Sequence, residues 1–141
     1  MPLLYLAKPS YGGWVAFTCH LSKALSMDIY RITKRTEKKT REFGYGLHYR
    51  NIGLDTLHEV IDVDEPTIIT AIDKTKYSCL EDIPDQAYVV IHDPTELKAD
   101  KGFLENLLRN RGFHIITIRK SVQSYLEKRG LKSTWLPHPY I

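Results

Sequence analysis

Leu3-Leu4-Tyr5-Leu6-Ala7 runs directly into Lys8-Pro9-Ser10-Tyr11-Gly12-Gly13, and from Trp14 onward the apolar residues recur at helical spacing. A five-residue run with apolar side chains on both faces suits a strand buried in a parallel sheet. Pro9 and the Gly12-Gly13 pair punctuate the chain and predict a turn. Between Trp14 and Met27, Val15, Cys19 (or Phe17), Leu21 (or Ser22) and Leu25 fall three to four residues apart, which predicts a helix. The opening therefore reads strand, glycine-rich loop, helix.

The same alternation continues outward. Asp28–Lys34 suits a second strand, and Thr67–Ile72, Ala87–Ile91 and Phe113–Ile118 read as further short buried strands. Leu54–Ile61 and Tyr77–Ile83 read as short helical pieces. Phe103–Arg111 has Phe103, Leu104, Leu107 and Leu108 on one face and a stop at Gly112. Ser121–Arg129 reads as a helix with Ser121 as N-cap and Gly130 as stop, followed by a last strand over Leu131–Leu136. Arg35–Phe43 is the most charged stretch and predicts an exposed loop or hairpin. Gly44–Ile52 is β-prone, so an antiparallel insertion is expected at 35–52. Strands alternating with helices predict an α/β fold with a mainly parallel sheet.

Composition bounds the answer. The chain has 141 residues, 43% hydrophobic and 26% charged, which suits one globular domain and argues against disorder. Twenty basic against 17 acidic residues give a net charge of +3, which permits an acidic partner without demanding one. Two cysteines, Cys19 and Cys79, exclude a disulfide framework, and no apolar run approaches the ~20 residues needed to span a membrane. The N-terminus lacks a signal peptide's charged start. A cytoplasmic, reducing setting is the expectation.

In an open parallel sheet, ligands bind beyond the carboxyl ends of the strands. Four segments fall there. Gly12 and Gly13 would let backbone N–H groups approach an anion at a helix start, or would only make a tight turn; neither a GxGxxG nor a P-loop pattern is present. Asp73 could accept from a sugar hydroxyl or cap the next element. His92-Asp93-Pro94-Thr95-Glu96 offers a histidine and two carboxylates for general-base work, although Asp93-Pro94 is also an ordinary turn starter. Arg119-Lys120-Ser121 could hold a phosphate or simply be a solvated helix start. The six histidines show no zinc spacing. Arg35, Lys38, Lys39, Arg41 and Arg50 among Phe43, Tyr45 and Tyr49 could contact nucleic acid, with Glu37 and Glu42 diluting the charge.

The order KPSYGGW, IHDPTEL, HIITIRKSVQSYLEKRGL, WLPHPY resembles the N-terminal half of a GT-B glycosyltransferase, over Leu3 to Tyr140. Its Lys- and Tyr-rich texture is reminiscent of viral or archaeal sequences, which would place it in a host cytoplasm if viral. The resemblance implies a single Rossmann-like three-layer domain over residues 1–141, one half of a two-domain enzyme. It puts Tyr11, Gly12, Gly13 and Trp14 on the acceptor or phosphate side of a cleft and His92 and Asp93 at the position of the acceptor base. It puts Arg119, Lys120 and Ser121 on the cleft floor and His138 at an interdomain hinge. No resident cofactor is implied; the nucleotide-sugar donor would be a co-substrate. The donor-binding second half is missing from the resemblance, so transfer is expected to need a second domain or subunit.

Two readings follow. One is a glycosyltransferase-like domain that binds a sugar acceptor of open class, nucleic acid included. The other is a non-catalytic α/β module for a nucleotide, sugar phosphate, nucleic acid or protein. Either is compatible with a homo-oligomer. A flavodoxin-like or response-regulator-like domain is a third reading, and the latter lacks an acidic pair after the first strand.

Overall fold

The computed structural model describes residues 2–10, 12–62 and 64–137. The elements in chain order are β1 (Pro2–Leu6), α1 (Gly12–Leu25), β2 (Asp28–Thr33), β3 (Arg41–Gly44), β4 (Leu47–Gly53), α2 (Leu57–Val60) and β5 (Ile68–Ile72). They continue with β6 (Tyr88–Ile91), α3 (Thr95–Asn110), β7 (His114–Thr117), α4 (Lys120–Lys128) and β8 (Thr134–Trp135). Tight 3-10 turns precede α2 at Leu54–Thr56 and link β5 to β6 at Lys74–Asp82.

The strands form one sheet in the order β3-β4-β2-β1-β5-β6-β7-β8. Every pairing is parallel except β3 with β4. This is the expected α/β, Rossmann-like architecture, with the antiparallel insertion inside the expected 35–52 segment. Alternation along β1 explains the layers. Leu3 and Tyr5 pack on one face with Val15, Phe17 and Cys19 of α1 and with Phe43 and Tyr49 of the hairpin. Leu4 and Leu6 pack on the other with Leu97 and Leu104 of α3 and Val122 and Leu126 of α4. Helices thus cover both faces.

The chain leaves β1 toward β2 and later returns to β1's other side as β5, which makes the β1–β5 border the switch point of the sheet. There the register steps from Leu4–Ile69 to Tyr5–Ala71, passing over Thr70. Such a bulge locally disrupts the ladder and re-aims side chains. Here the Thr70 hydroxyl meets the Thr18 hydroxyl of α1 at 2.7 Å.

Several boundaries depart from the sequence reading. Helix α3 begins at Thr95, eight residues before the expected Phe103. Asp93, Pro94 and Glu96 supply a strong helix start, and left-handed backbone at Lys101 (φ 56°) and Gly102 (φ 78°) interrupts the apolar periodicity that pointed to the later one. Ser121 is not the cap of α4: the helix starts at Lys120 and Arg119 precedes it in extended conformation without a side-chain cap bond. Leu25 is exposed rather than inward, while Ser22 is buried and donates to the Met27 carbonyl at 2.6 Å. The Gly130 stop is present: Gly130 is left-handed (φ 76°), and the Leu131 N–H reaches the Leu126 carbonyl at 2.9 Å.

Candidate functional site

At the switch point the end of β5 and the starts of α1 and α3 border an open crevice of about 240 Å³. Trp14 enters from α1, Asp73, Lys74 and Tyr77 from the segment after β5, and Thr95 and Glu96 from the first turn of α3. The loop below it is fixed through carbonyls that the end of β1 leaves unpaired in the sheet. Tyr5 Oη donates to the Lys8 carbonyl at 2.6 Å, and Arg31 Nε to the Ala7 carbonyl at 2.7 Å.

The His92–Glu96 segment is a helix-capping arrangement. Asp93 Oδ1 accepts from the Thr95 N–H at 2.9 Å. Glu96 Oε2 reaches back to the N–H groups of His92 (2.7 Å) and Asp93 (2.9 Å). This is the capping-box exchange, with Pro94 pre-set for the helix start. The bond from Thr95 holds the Asp93 carboxyl below its ordinary range, which makes it a weaker base. The His92 ring is buried, edge-on to Phe17 at 4.9 Å and 6.0 Å from Trp14. Its Nε2 lies 2.6 Å from the Thr70 carbonyl. A carbonyl only accepts, so Nε2 carries the proton in this contact.

Glu96 is the second of the two carboxylates the sequence offered, which the resemblance left aside for His92 and Asp93. Only 7% of the residue is exposed. Burial pushes its carboxyl up to about 7, against the opposing pull of the two backbone N–H bonds. Its second oxygen, Oε1, is buried without a hydrogen-bond partner. The signal available in the sequence was the D-P-T-E spacing, which predicts a reciprocal cap and hence a carboxylate turned back into the fold.

The other expected site residues distribute unevenly. Gly12 and Gly13 form the exposed first turn of α1, and a side chain at either would meet nothing within 4 Å, so space for a ligand is open there. Trp14 lines the crevice. Tyr11 and His138 lie outside the described residues. Asp73 lines the crevice while its Oδ1 caps the following turn, accepting from the Thr75 N–H at 3.3 Å. Arg119 is exposed and close enough to Asp93 to help keep it ionised. Lys120 is exposed, with its ammonium over the Trp135 ring at 4.8 Å, and Ser121 is exposed beside it. The fold therefore gathers Trp14, Asp73, His92, Asp93 and Glu96, and sets Lys120 and Ser121 toward the β8 edge.

The basic segment lies elsewhere. A larger groove of about 680 Å³ runs between the end of α1 and the amino ends of β2 and β4, lined by Lys23, Tyr30, His48, Tyr49 and Arg50. It is at the opposite end of the strands from the switch point, so its size does not make it the favoured site of this fold. Phe43 and Tyr49 are buried core side chains rather than stacking platforms. Arg41 is paired with Glu37 at 2.6 Å, and Arg50 lies over the Tyr30 ring at 5.5 Å. Lys38, Lys39 and Tyr45 remain exposed. Among the described residues, no group of three or more His, Cys, Asp or Glu could hold a metal ion, and no helix is long and apolar enough to cross a membrane. Compared with known proteins, the chain matches no family model, no curated protein and no solved structure.

Proposed function

We propose that this chain is a glycosyltransferase-like domain. It binds a sugar acceptor, forms one wall of a nucleotide-sugar cleft, and works against a second domain or subunit that completes the donor site. The observation that carries this reading is the crevice at the β1–β5 switch point, where an aromatic ring (Trp14), two carboxyl groups (Asp73 and Glu96) and a cation (Lys74) converge. Rings and carboxyls suit sugar faces and hydroxyls, and a cation suits phosphate. The exposed loop with Lys38 and Lys39 would be the contact if the acceptor is a nucleic acid.

A non-catalytic binding module is the second reading. It is favoured by the structural work His92 and Asp93 already do, the first on the Thr70 carbonyl and the second as a cap. Thermal shift against nucleotides, nucleoside-diphosphate sugars and methyl glycosides tests both, because a ligand of the folded state raises apparent stability. Stabilisation by a sugar or nucleotide supports the crevice reading, and transfer of labelled sugar on adding the partner domain separates enzyme from module. No stabilisation by any of them, at millimolar concentration, overturns it.

A further inference from the structure

The crevice contains one chemical anomaly. Glu96 has a carboxyl oxygen, Oε1, that is buried and unpartnered, on a residue that lines an open crevice. A buried polar atom without a partner is uncommon and calls for an explanation. Capping explains only Oε2, which already accepts from two backbone N–H groups. With Oε2 so occupied, a proton on this carboxyl belongs on Oε1, where it makes a donor.

We infer that Glu96 is the carboxylic-acid donor of the crevice, its Oε1–H hydrogen-bonding a hydroxyl oxygen of a glycosyl or ribosyl ring held against Trp14. This rests on the sugar-binding reading above. The acid's proton affinity fits the role, since burial already holds it near neutrality and a bound ligand would exclude more water. The titratable groups around it are Asp93 on its own turn, His92 at the end of β6, and Asp73, Lys74 and Tyr77 across the crevice. Tyr77 is further tied to α3, its hydroxyl donating to the Glu96 carbonyl at 2.9 Å. A glutamine at 96 keeps a carbonyl oxygen for the two cap bonds and places an N–H donor where Oε1–H stood. It therefore imitates the protonated acid at every pH.

The experiment is calorimetric titration of the wild-type chain, Glu96→Gln and Glu96→Ala between pH 6 and 8.5. The probes are a nucleoside-diphosphate glucose, a free nucleoside and a methyl glucoside; the last two separate a ribosyl from a glycosyl source. Wild-type affinity is expected to fall about tenfold per pH unit above pH 7, with proton uptake on binding seen as a dependence of the heat on buffer ionisation enthalpy. Glu96→Gln is expected to bind without pH dependence at the wild-type pH 6 level, and Glu96→Ala to bind at least tenfold more weakly. Wild-type binding that is independent of pH, or that tightens as pH rises, overturns the donor role while leaving the crevice reading standing. So does a Glu96→Gln variant that binds no better than Glu96→Ala. If the variants fail to fold, the wild-type pH profile and proton uptake still decide. Failure of every probe to bind wild type overturns both.

Discussion

The carboxylate of Glu96 turns back from the first turn of α3 to accept, at 2.7 Å, the backbone N–H of His92 at the end of β6. That bond joins a strand end to the helix that follows it and buries an acid at the switch point. Both residues lie in one five-residue segment, yet they meet different needs. His92 spans to Thr70, where the bulge occurs, and Glu96 closes the helix start. The crevice is thus built by capping chemistry, and the buried, unpaired Glu96 Oε1 is left over from it.

That oxygen makes stability depend on pH in a particular direction. The folded state holds the Glu96 proton up to about pH 7, whereas an unfolded glutamate releases it near 4.5. Between those values the native state binds more protons, so stability falls as pH rises and levels off above pH 7. The shift corresponds to about 3 kcal/mol. Glu96→Gln removes this term, so its stability relative to wild type should improve by about that amount between pH 4.5 and 7.5. Urea denaturation of both proteins across the range measures the difference; a gap constant with pH would contradict the burial of a proton-holding acid.

How much of this was legible beforehand depends on the residue. The layers were, because Leu3-Leu4-Tyr5-Leu6 is apolar on both faces and only a covered parallel sheet accommodates that. The placement of Asp73 followed from its strand end, and that of Trp14 from the resemblance. For Glu96 the D-P-T-E spacing gives the cap, but not the burial, which comes only when the helix packs and removes the carboxyl's water. The Thr70 bulge left no mark in TIITAI, because the slip is set by the pairing with β1 rather than by local preference. Phe43 and Tyr49 looked like stacking aromatics beside basic residues, and only the hairpin's fold onto α1 places them in the core.

The His92 tautomer follows from its partner. Nε2 faces the Thr70 carbonyl at 2.6 Å, which cannot donate, so Nε2 carries a proton. Nitrogen-15 NMR of the imidazole reads the tautomer directly. An Nε2 without a proton at this residue would mean that the Thr70 contact does not exist in solution.

Arg111, just past the end of α3, binds the linker before β6. Its Nη2 donates to the Ile83 carbonyl at 2.7 Å and its Nη1 to the Leu80 carbonyl at 3.3 Å, while Nε pairs with Asp85 and the guanidinium lies over Phe113 at 4.8 Å. Both carbonyls belong to buried residues. Arg111→Ala leaves them without this donor and should destabilise by ~1–3 kcal/mol. Arg111→Lys should recover only part, because one ammonium cannot span the fork. Thermal unfolding ranks the three. A lysine variant as stable as wild type would show that charge, rather than the paired donors, holds the linker.

The nucleic-acid acceptor can be tested on two lysines. Arg41 is engaged by Glu37, whose carboxyl that guanidinium and Asn51 hold down at about 2, so Arg41 is the poorer phosphate ligand. Lys38 and Lys39 are exposed on the same loop. If the loop contacts a phosphate backbone, replacing both with alanine should weaken single-stranded DNA binding. It should also lower the slope of log affinity against log salt by about 1.4, two phosphates at ~0.7 each. Arg41→Ala should act differently, loosening the turn between β2 and β3 with a smaller change in slope. Fluorescence anisotropy with a labelled oligonucleotide from 20 to 200 mM salt gives both numbers. An unchanged slope in the double variant would move any nucleic-acid contact away from this loop, and no binding at 20 mM salt would remove nucleic acid from the acceptors the crevice serves.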